Sequence, residues 1–99
     1  MYIVSGHFQF DKESLNHAQK CMDDMLALGK TEPGNLSYMF YRDPHKLNSF
    51  FLFEEWLSKE AHDAHFNGNS MKKMLPEFFA LLEGKPKVTY YDAKIESTL

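Results

Sequence analysis

The spacing of hydrophobic residues changes along the chain, and the order of these changes restricts the fold more than any other feature. Residues 2–10 alternate, with Val4 and Phe8 on one side and Ser5 and His7 on the other, which predicts a strand. Residues 12–28 repeat apolar side chains at three- and four-residue steps, which predicts a helix. The later predicted elements are strand 36–41, strand 49–56, short helix 59–66, helical stretch 70–83 and strand 88–91.

Capping and breaking residues mark the ends of the predicted helices. Asp11 is expected to cap the first helix and Gly29 to end it. Ser58 and Ser70 are the expected caps of the later helical stretches. Pro76 lies inside the last stretch, so that stretch must kink or restart there, because proline lacks a backbone donor.

The resulting order is strand, helix, strand, strand, helix, strand. This order predicts an α+β chain with the split βαβ arrangement of the ferredoxin-like fold and an antiparallel sheet. A length of 99 residues fits one domain over 1–99, with a core over about 2–93 and a polar tail over 94–99. No internal repeat or linker is visible.

The two predicted strands in the middle of the chain, 36–41 and 49–56, are apolar on both faces. Phe50 and Leu52 face one side, whereas Phe51 and Phe53 face the other. Helices can cover only one face of the sheet, and a large exposed apolar patch is rare in a monomer. The pattern therefore predicts a homodimer that pairs the other faces. Scattered exposed aromatics on a monomer are the alternative.

Composition argues against several classes of partner. The formal net charge is −3 with no basic stripe, so nucleic acid is not expected to bind. No apolar run approaches the ~20 residues of a membrane span, and the N-terminus lacks the pattern of a signal peptide. Cys21 is the single cysteine, which excludes an internal disulfide and favours a cytoplasmic location.

Four short segments carry a family resemblance. They are Glu-Pro-Gly-Asn-Leu-Ser-Tyr at 32–38, Tyr-Arg-Asp-Pro at 41–44, Phe-Phe-Leu-Phe-Glu-Glu-Trp at 50–56 and Asp-Ala-His at 63–65. As an ordered set, they resemble the antibiotic biosynthesis monooxygenase (ABM) domain family over residues 3–93. The resemblance implies a dimeric α+β barrel with a pocket between each sheet and its helices. It also implies a small aromatic or quinol-like substrate, oxidised without metal or organic cofactor.

The sequence departs from this family at two places. Many relatives carry Ser-Pro-His-Phe after the short helix, where this chain has Gly-Asn-Ser-Met at 68–71. Haem-degrading relatives use an asparagine on the first strand, a tryptophan on the short helix and a histidine on the next. Here the first strand has no asparagine, His65 stands at the tryptophan position and Met74 near the histidine position, so haem degradation is not expected.

His65 is the first candidate for catalysis, because imidazole titrates near neutrality and can take a proton from a phenol or enol. Glu54 is the second candidate, as a group that orients His65 or contacts substrate. Trp56, Tyr38 and His7 are candidate pocket residues. The alternatives are a solvated helix histidine, a glutamate in an ordinary ion pair and packed sheet residues.

A metal or cofactor is not expected. His62 and His65 are three residues apart on the short helix, but no third ligand stands at a telling spacing. The predicted function is a cofactor-independent monooxygenase that oxidises a small phenolic, quinol or enol substrate with molecular oxygen. An isomerase on the same scaffold and a non-catalytic dimeric small-molecule-binding module are the alternatives.

Overall fold

A computed structural model describes residues 1–99 as one antiparallel sheet with helices packed on one face. The elements are β1 (Tyr2–Gln9), a 3-10 turn (Lys12–Ser14), α1 (Leu15–Thr31), β2 (Asn35–Arg42), β3 (Ser49–Trp56), α2 (Lys59–Phe66), α3 (Asn69–Ala80) and β4 (Lys87–Asp92). The strand order is β2-β3-β1-β4. This arrangement confirms the α+β ferredoxin-like fold that the element order predicts.

The core lies between the sheet and the helices. Alternate residues of the central strands point into it, including Val4 and Phe8 of β1 and Leu52 and Trp56 of β3. The apolar stripe of α1 packs against them through residues at helical spacing: Ala18, Cys21, Met22 and Met25. No helix of the chain is both long and apolar enough to cross a membrane.

Two predictions about α1 are wrong. The Asp11 side chain caps nothing, and α1 begins only after the 3-10 turn. Gly29 does not end the helix. It lies buried within it, because a Cβ atom at this position would come within 2.8 Å of the Tyr38 ring. The helix ends at Thr31, since Glu32 precedes Pro33 and that position disfavours helical backbone.

The last helix also differs from its prediction, whereas the short helix does not. Ser58 caps α2, its Oγ accepting a hydrogen bond from the Ala61 N–H at 3.1 Å. Helix α3 begins after Gly68, not at Ser70, and it continues through Pro76 without a second start. Burial of Met71 and Phe78 on either side of the proline keeps both halves against the sheet, which offsets the lost backbone hydrogen bond.

The face of the sheet away from the helices carries large apolar side chains that no element of the chain covers. Phe51 and Phe53 of β3 stack there at 6.5 Å between ring centroids, and Met39 and Tyr41 of β2 lie on the same face. We call this surface the open face. Its composition agrees with the two-sided apolar pattern in the sequence.

Candidate active site

A cavity of about 90 Å³ lies between the sheet and helices α2 and α3. Its walls are mostly hydrophobic. The polar side chains that line it come from four elements: Tyr38, Glu54, His62, His65 and Tyr90. Phe66 and Phe79 line the cavity and are also exposed, so they mark its opening. Because a cavity of about 150 Å³ holds benzene, a ring-sized ligand would require these walls to move.

Among the polar groups that line the cavity, His65 is held both by burial and by a hydrogen bond. Its side chain is 1% exposed, and its Nδ1 is hydrogen-bonded to Glu32 Oε1. A carboxylate only accepts hydrogen bonds, so Nδ1 carries the proton and the Nε2 of neutral His65 is an acceptor. The Nε2 atom of His65 has no hydrogen-bond partner in the chain. Because every side-chain nitrogen or oxygen that is fully shielded does have a partner, Nε2 keeps some accessible surface, and that surface opens onto the cavity that His65 lines.

The turn after α1 brings Glu32 to this histidine. Pro33 forces extended backbone at Glu32, with ψ of 138°. Gly34 has φ of +82°, and a Cβ atom there would lie 2.7 Å from Ala61 on α2. The carbonyl of Gly34 accepts a hydrogen bond from Leu57 N–H at 2.8 Å. The Glu-Pro-Gly turn therefore packs directly on α2, with its carboxylate beside the histidine.

Glu54 lies in the same cavity with a different partner. Its Oε1 accepts a hydrogen bond from Trp56 Nε1 at 2.9 Å, and the residue is 4% exposed. Burial raises the pKa of this carboxyl from 4.5 to about 7, although the hydrogen bond from Trp56 opposes the rise. At neutral pH, Glu54 therefore holds a proton in a substantial fraction of molecules.

Tyr38 supplies a phenol hydroxyl that stays protonated. Burial first, and then the charges of Glu54 and Glu32, raise the pKa of Tyr38 well above its usual value of 10. Its ring lies 5.5 Å from the ring of His65. The hydroxyl is thus a permanent hydrogen-bond donor, carried on a ring that packs against the imidazole.

Three sequence predictions about the site require correction. His7 is exposed on the open face, where its ring lies 5.0 Å from Phe51, because alternation along β1 turns it away from the helices. Trp56 is fully buried and does not line the cavity. Its ring packs 4.9 Å from that of His65, because α2 covers the end of β3. Glu54 accepts a hydrogen bond from Trp56, and Glu32 is the group that orients His65, so the orienting role of Glu54 is wrong. Contact of Glu54 with substrate stays a prediction, because Glu54 lines the cavity.

A match to a known family model assigns this chain to a family. A family model described as "Antibiotic biosynthesis monooxygenase" matches residues 1–77. The chain belongs to this family. The antibiotic biosynthesis monooxygenase match covers β1 through most of α3, so it includes the Glu-Pro-Gly turn and both candidate catalytic residues.

Related proteins support the same lineage. An uncharacterized protein of Synechocystis sp., sll1783, is 28% identical over 94 residues, which are 95% of this chain. The chain spans 59% of the length of that relative. Rv0793 from Mycobacterium tuberculosis has a TM-score of 0.88 at 22% identity, with 98% of each chain covered. SnoaB, a cofactor-independent oxygenase from Streptomyces nogalater, has a TM-score of 0.85 at 15% identity, covering 99% of this chain and 95% of SnoaB. At these identities the structural matches show the fold.

Sequence reasoning missed two residues of the site in this family member. In the sequence, Glu32 stands out only as part of the motif that resembles the family. Its place directly before Pro-Gly does indicate a fixed turn, which could position the carboxylate. In the sequence, His62 stands out only as half of a histidine pair with His65. It lines the cavity beside Tyr90, with 5.5 Å between ring centroids, and burial lowers its pKa.

Proposed function

We propose that this ABM-family protein is a cofactor-independent monooxygenase that acts on a small phenolic, quinol or enol substrate. The observation that carries the proposal is the Glu32–His65 pair, which presents an imidazole acceptor to a hydrophobic cavity. A base in a largely apolar site can create a substrate anion away from bulk water. The resemblance in fold to SnoaB, a cofactor-independent oxygenase, supports the same chemistry.

The reaction begins when His65 Nε2 removes a proton from the substrate. The Tyr38 hydroxyl donates a hydrogen bond to the oxygen that gains negative charge, which stabilises the anion. The electron-rich anion then reduces dioxygen. Without an added electron donor, the substrate supplies all the electrons: two hydrogens leave it, one oxygen atom enters it, and the other oxygen atom leaves as water. The charged imidazolium returns its proton during this step.

Oxygen uptake tests this function. Purified protein incubated with a panel of hydroquinones, phenols and enols should consume one dioxygen per substrate oxidised, with no reductant added. Uptake should continue in the presence of a chelator, because no step requires a metal. Uptake that depends on added flavin or metal would contradict the proposal, and so would turnover of the panel without oxygen uptake.

An isomerase is the second candidate, and Glu54 favours it. A carboxyl with a pKa of about 7 can give or take a proton, and it shares the cavity with His65. Two proton carriers at one cavity could move a proton between two positions of a substrate. Product formation without oxygen uptake would support this function, and tight ligand binding without turnover would support a binding module.

The open face supports the homodimer as part of the proposal. A second copy placed sheet to sheet would cover Phe51, Phe53 and Met39 and would build the barrel of two sheets. Cys21 is a free buried thiol, which suits a reducing compartment and supports a cytoplasmic location.

The Phe51→Glu variant tests the dimer. We expect light scattering to give twice the mass of the 11.6 kDa chain for the unmodified protein and a single chain for the variant, because a charge would lie in an apolar contact. The matched control is Leu47→Glu, which changes an exposed leucine in the turn outside the open face. The proposal fails if the unmodified protein remains a monomer at all concentrations.

A further inference from the structure

A second group of chemically active side chains lies between α1 and α3, outside the cavity. His17 and Cys21 are four residues apart on α1, and Glu77 faces them from α3. One ligand atom of each, a ring nitrogen, the thiol sulfur and a carboxylate oxygen, lies within 4.8 Å of the others. His17 Nε2 and Glu77 Oε1 are already 2.5 Å apart. None of the three lines the cavity.

We infer that this cluster is a site for a divalent metal ion of the zinc type. Histidine nitrogen, cysteine thiolate and carboxylate oxygen are the ligands that zinc takes in proteins, and three protein ligands with a water molecule complete its tetrahedron. Bonds of about 2.0–2.3 Å place ligand atoms roughly 3.3–3.8 Å apart. Binding therefore needs the widest gap between ligand atoms, at most 4.8 Å, to close by about 1 Å, whereas His17 Nε2 and Glu77 Oε1 must move apart from 2.5 Å.

The local structure permits this closure. The side chains of His17 and Glu77 are 49% and 57% exposed, so both can turn without disturbing the core. Cys21 is held in the packed stripe of α1 and fixes the inner end of the site. The nearby Lys20 is bound to Asp24 at 2.7 Å, so its ammonium is directed along α1. On binding, the thiol proton passes to solvent and the sulfur forms the metal bond.

A metal here would act on the fold and not on the proposed reaction. It would join the middle of α1 to α3, two helices that cover the same face of the sheet. A metal is not expected from the sequence, because the histidine pair on α2 has no third ligand at a telling spacing. Glu77 is 60 residues from His17 in the chain, so spacing could not reveal this cluster.

Zinc and cobalt titrations of the purified protein test the site. We expect one equivalent of Zn²⁺ to bind and, at a concentration one hundred times Kd, to raise Tm by about 10–20 °C. Co²⁺, used as a spectroscopic probe, should produce the near-ultraviolet charge-transfer absorption of a thiolate ligand. Cys21→Ser should abolish that absorption.

The exposed ligands supply the decisive variants, since their replacement leaves the core intact. His17→Gln and Glu77→Gln should each weaken Zn²⁺ binding by at least about tenfold. The control His45→Gln, at an exposed histidine in the turn between β2 and β3, should bind as the unmodified protein does. Unchanged affinity in both ligand variants, absence of the thiolate absorption or absence of a Tm rise would each overturn the inference. We expect these variants to keep their oxygen uptake, so the zinc site and the oxygenase function are tested independently of each other.

Discussion

Replacing His65 by alanine should lower kcat/KM for substrate oxidation by about 10²–10⁴-fold, the usual contribution of a general base. The reason is that His65 offers the cavity an imidazole acceptor whose other nitrogen is fixed by the Glu32 carboxylate. His62 also lines the cavity, with Nδ1 hydrogen-bonded to Asp63 Oδ1 at 3.2 Å, so His62→Ala is the comparison variant and should lose less activity. Steady-state oxygen uptake measures the loss. Circular dichroism and thermal unfolding should show that the variant remains folded.

Because the imidazole is buried, alanine would leave a void at this position, so a second variant of more similar size is needed. His65→Gln keeps more of the side-chain volume against the Trp56 ring while removing the base, and it should lose activity to a similar extent. His45→Ala is the matched control, because that histidine is exposed in the turn between β2 and β3, does not line the cavity and should leave kcat/KM unchanged. If both His65 variants keep their rate but unfold at a lower temperature, His65 is only a packing residue.

Glu32 should behave as a positioning residue for the same step. Glu32→Ala frees the imidazole to take the other tautomer, so kcat should fall while KM and Tm change little. Glu32→Gln retains a side-chain oxygen that can accept the Nδ1 proton, and it should restore part of the rate. A role limited to anchoring the turn would instead lower stability, with no difference between the two variants.

The strands and their faces could be predicted from sequence, because the direction of each side chain along a strand follows from local alternation. Alternation along β3 assigns Phe50 and Phe51 to opposite faces, and the structure agrees. The helix ends were harder to predict, because tertiary contacts decide them. Gly29 is a helix breaker by propensity, yet it lies inside α1 since the Tyr38 ring occupies the space of its missing side chain. A single sequence contains no sign of that contact.

The candidate site could be predicted only in part. His65, Glu54 and Tyr38 line the cavity, whereas His7 and Trp56 do not, and the catalytic roles stay predictions. The partner of His65 lies 33 residues away in a turn, so no spacing rule could select Glu32 over Glu54. Strand alternation does predict that Glu54 and Trp56 share a face, and that proximity produces the hydrogen bond between them.

Protein stability should decrease as pH rises through the titration of Glu54. Burial raises the pKa of this carboxyl to about 7 in the folded chain, from an ordinary value of 4.5 that the unfolded chain retains. Between these values the folded state holds a proton that the unfolded state releases. The free energy of unfolding therefore falls with rising pH in this window, by as much as roughly 3 kcal/mol.

The Glu54→Gln variant isolates this effect. Glutamine has nearly the same shape, can accept the Trp56 hydrogen bond and never ionises. Its stability, measured by urea unfolding at one protein concentration, should match that of the unmodified protein near pH 4.5 and exceed it at pH 8 by up to roughly 3 kcal/mol. Glu60→Gln is the matched control, at an exposed carboxylate on α2 that lies outside the cavity. That variant should keep the pH dependence of the unmodified protein. Parallel curves for Glu54→Gln and the unmodified protein would mean that Glu54 is not buried as a neutral acid, and the isomerase alternative would then lose its second proton carrier.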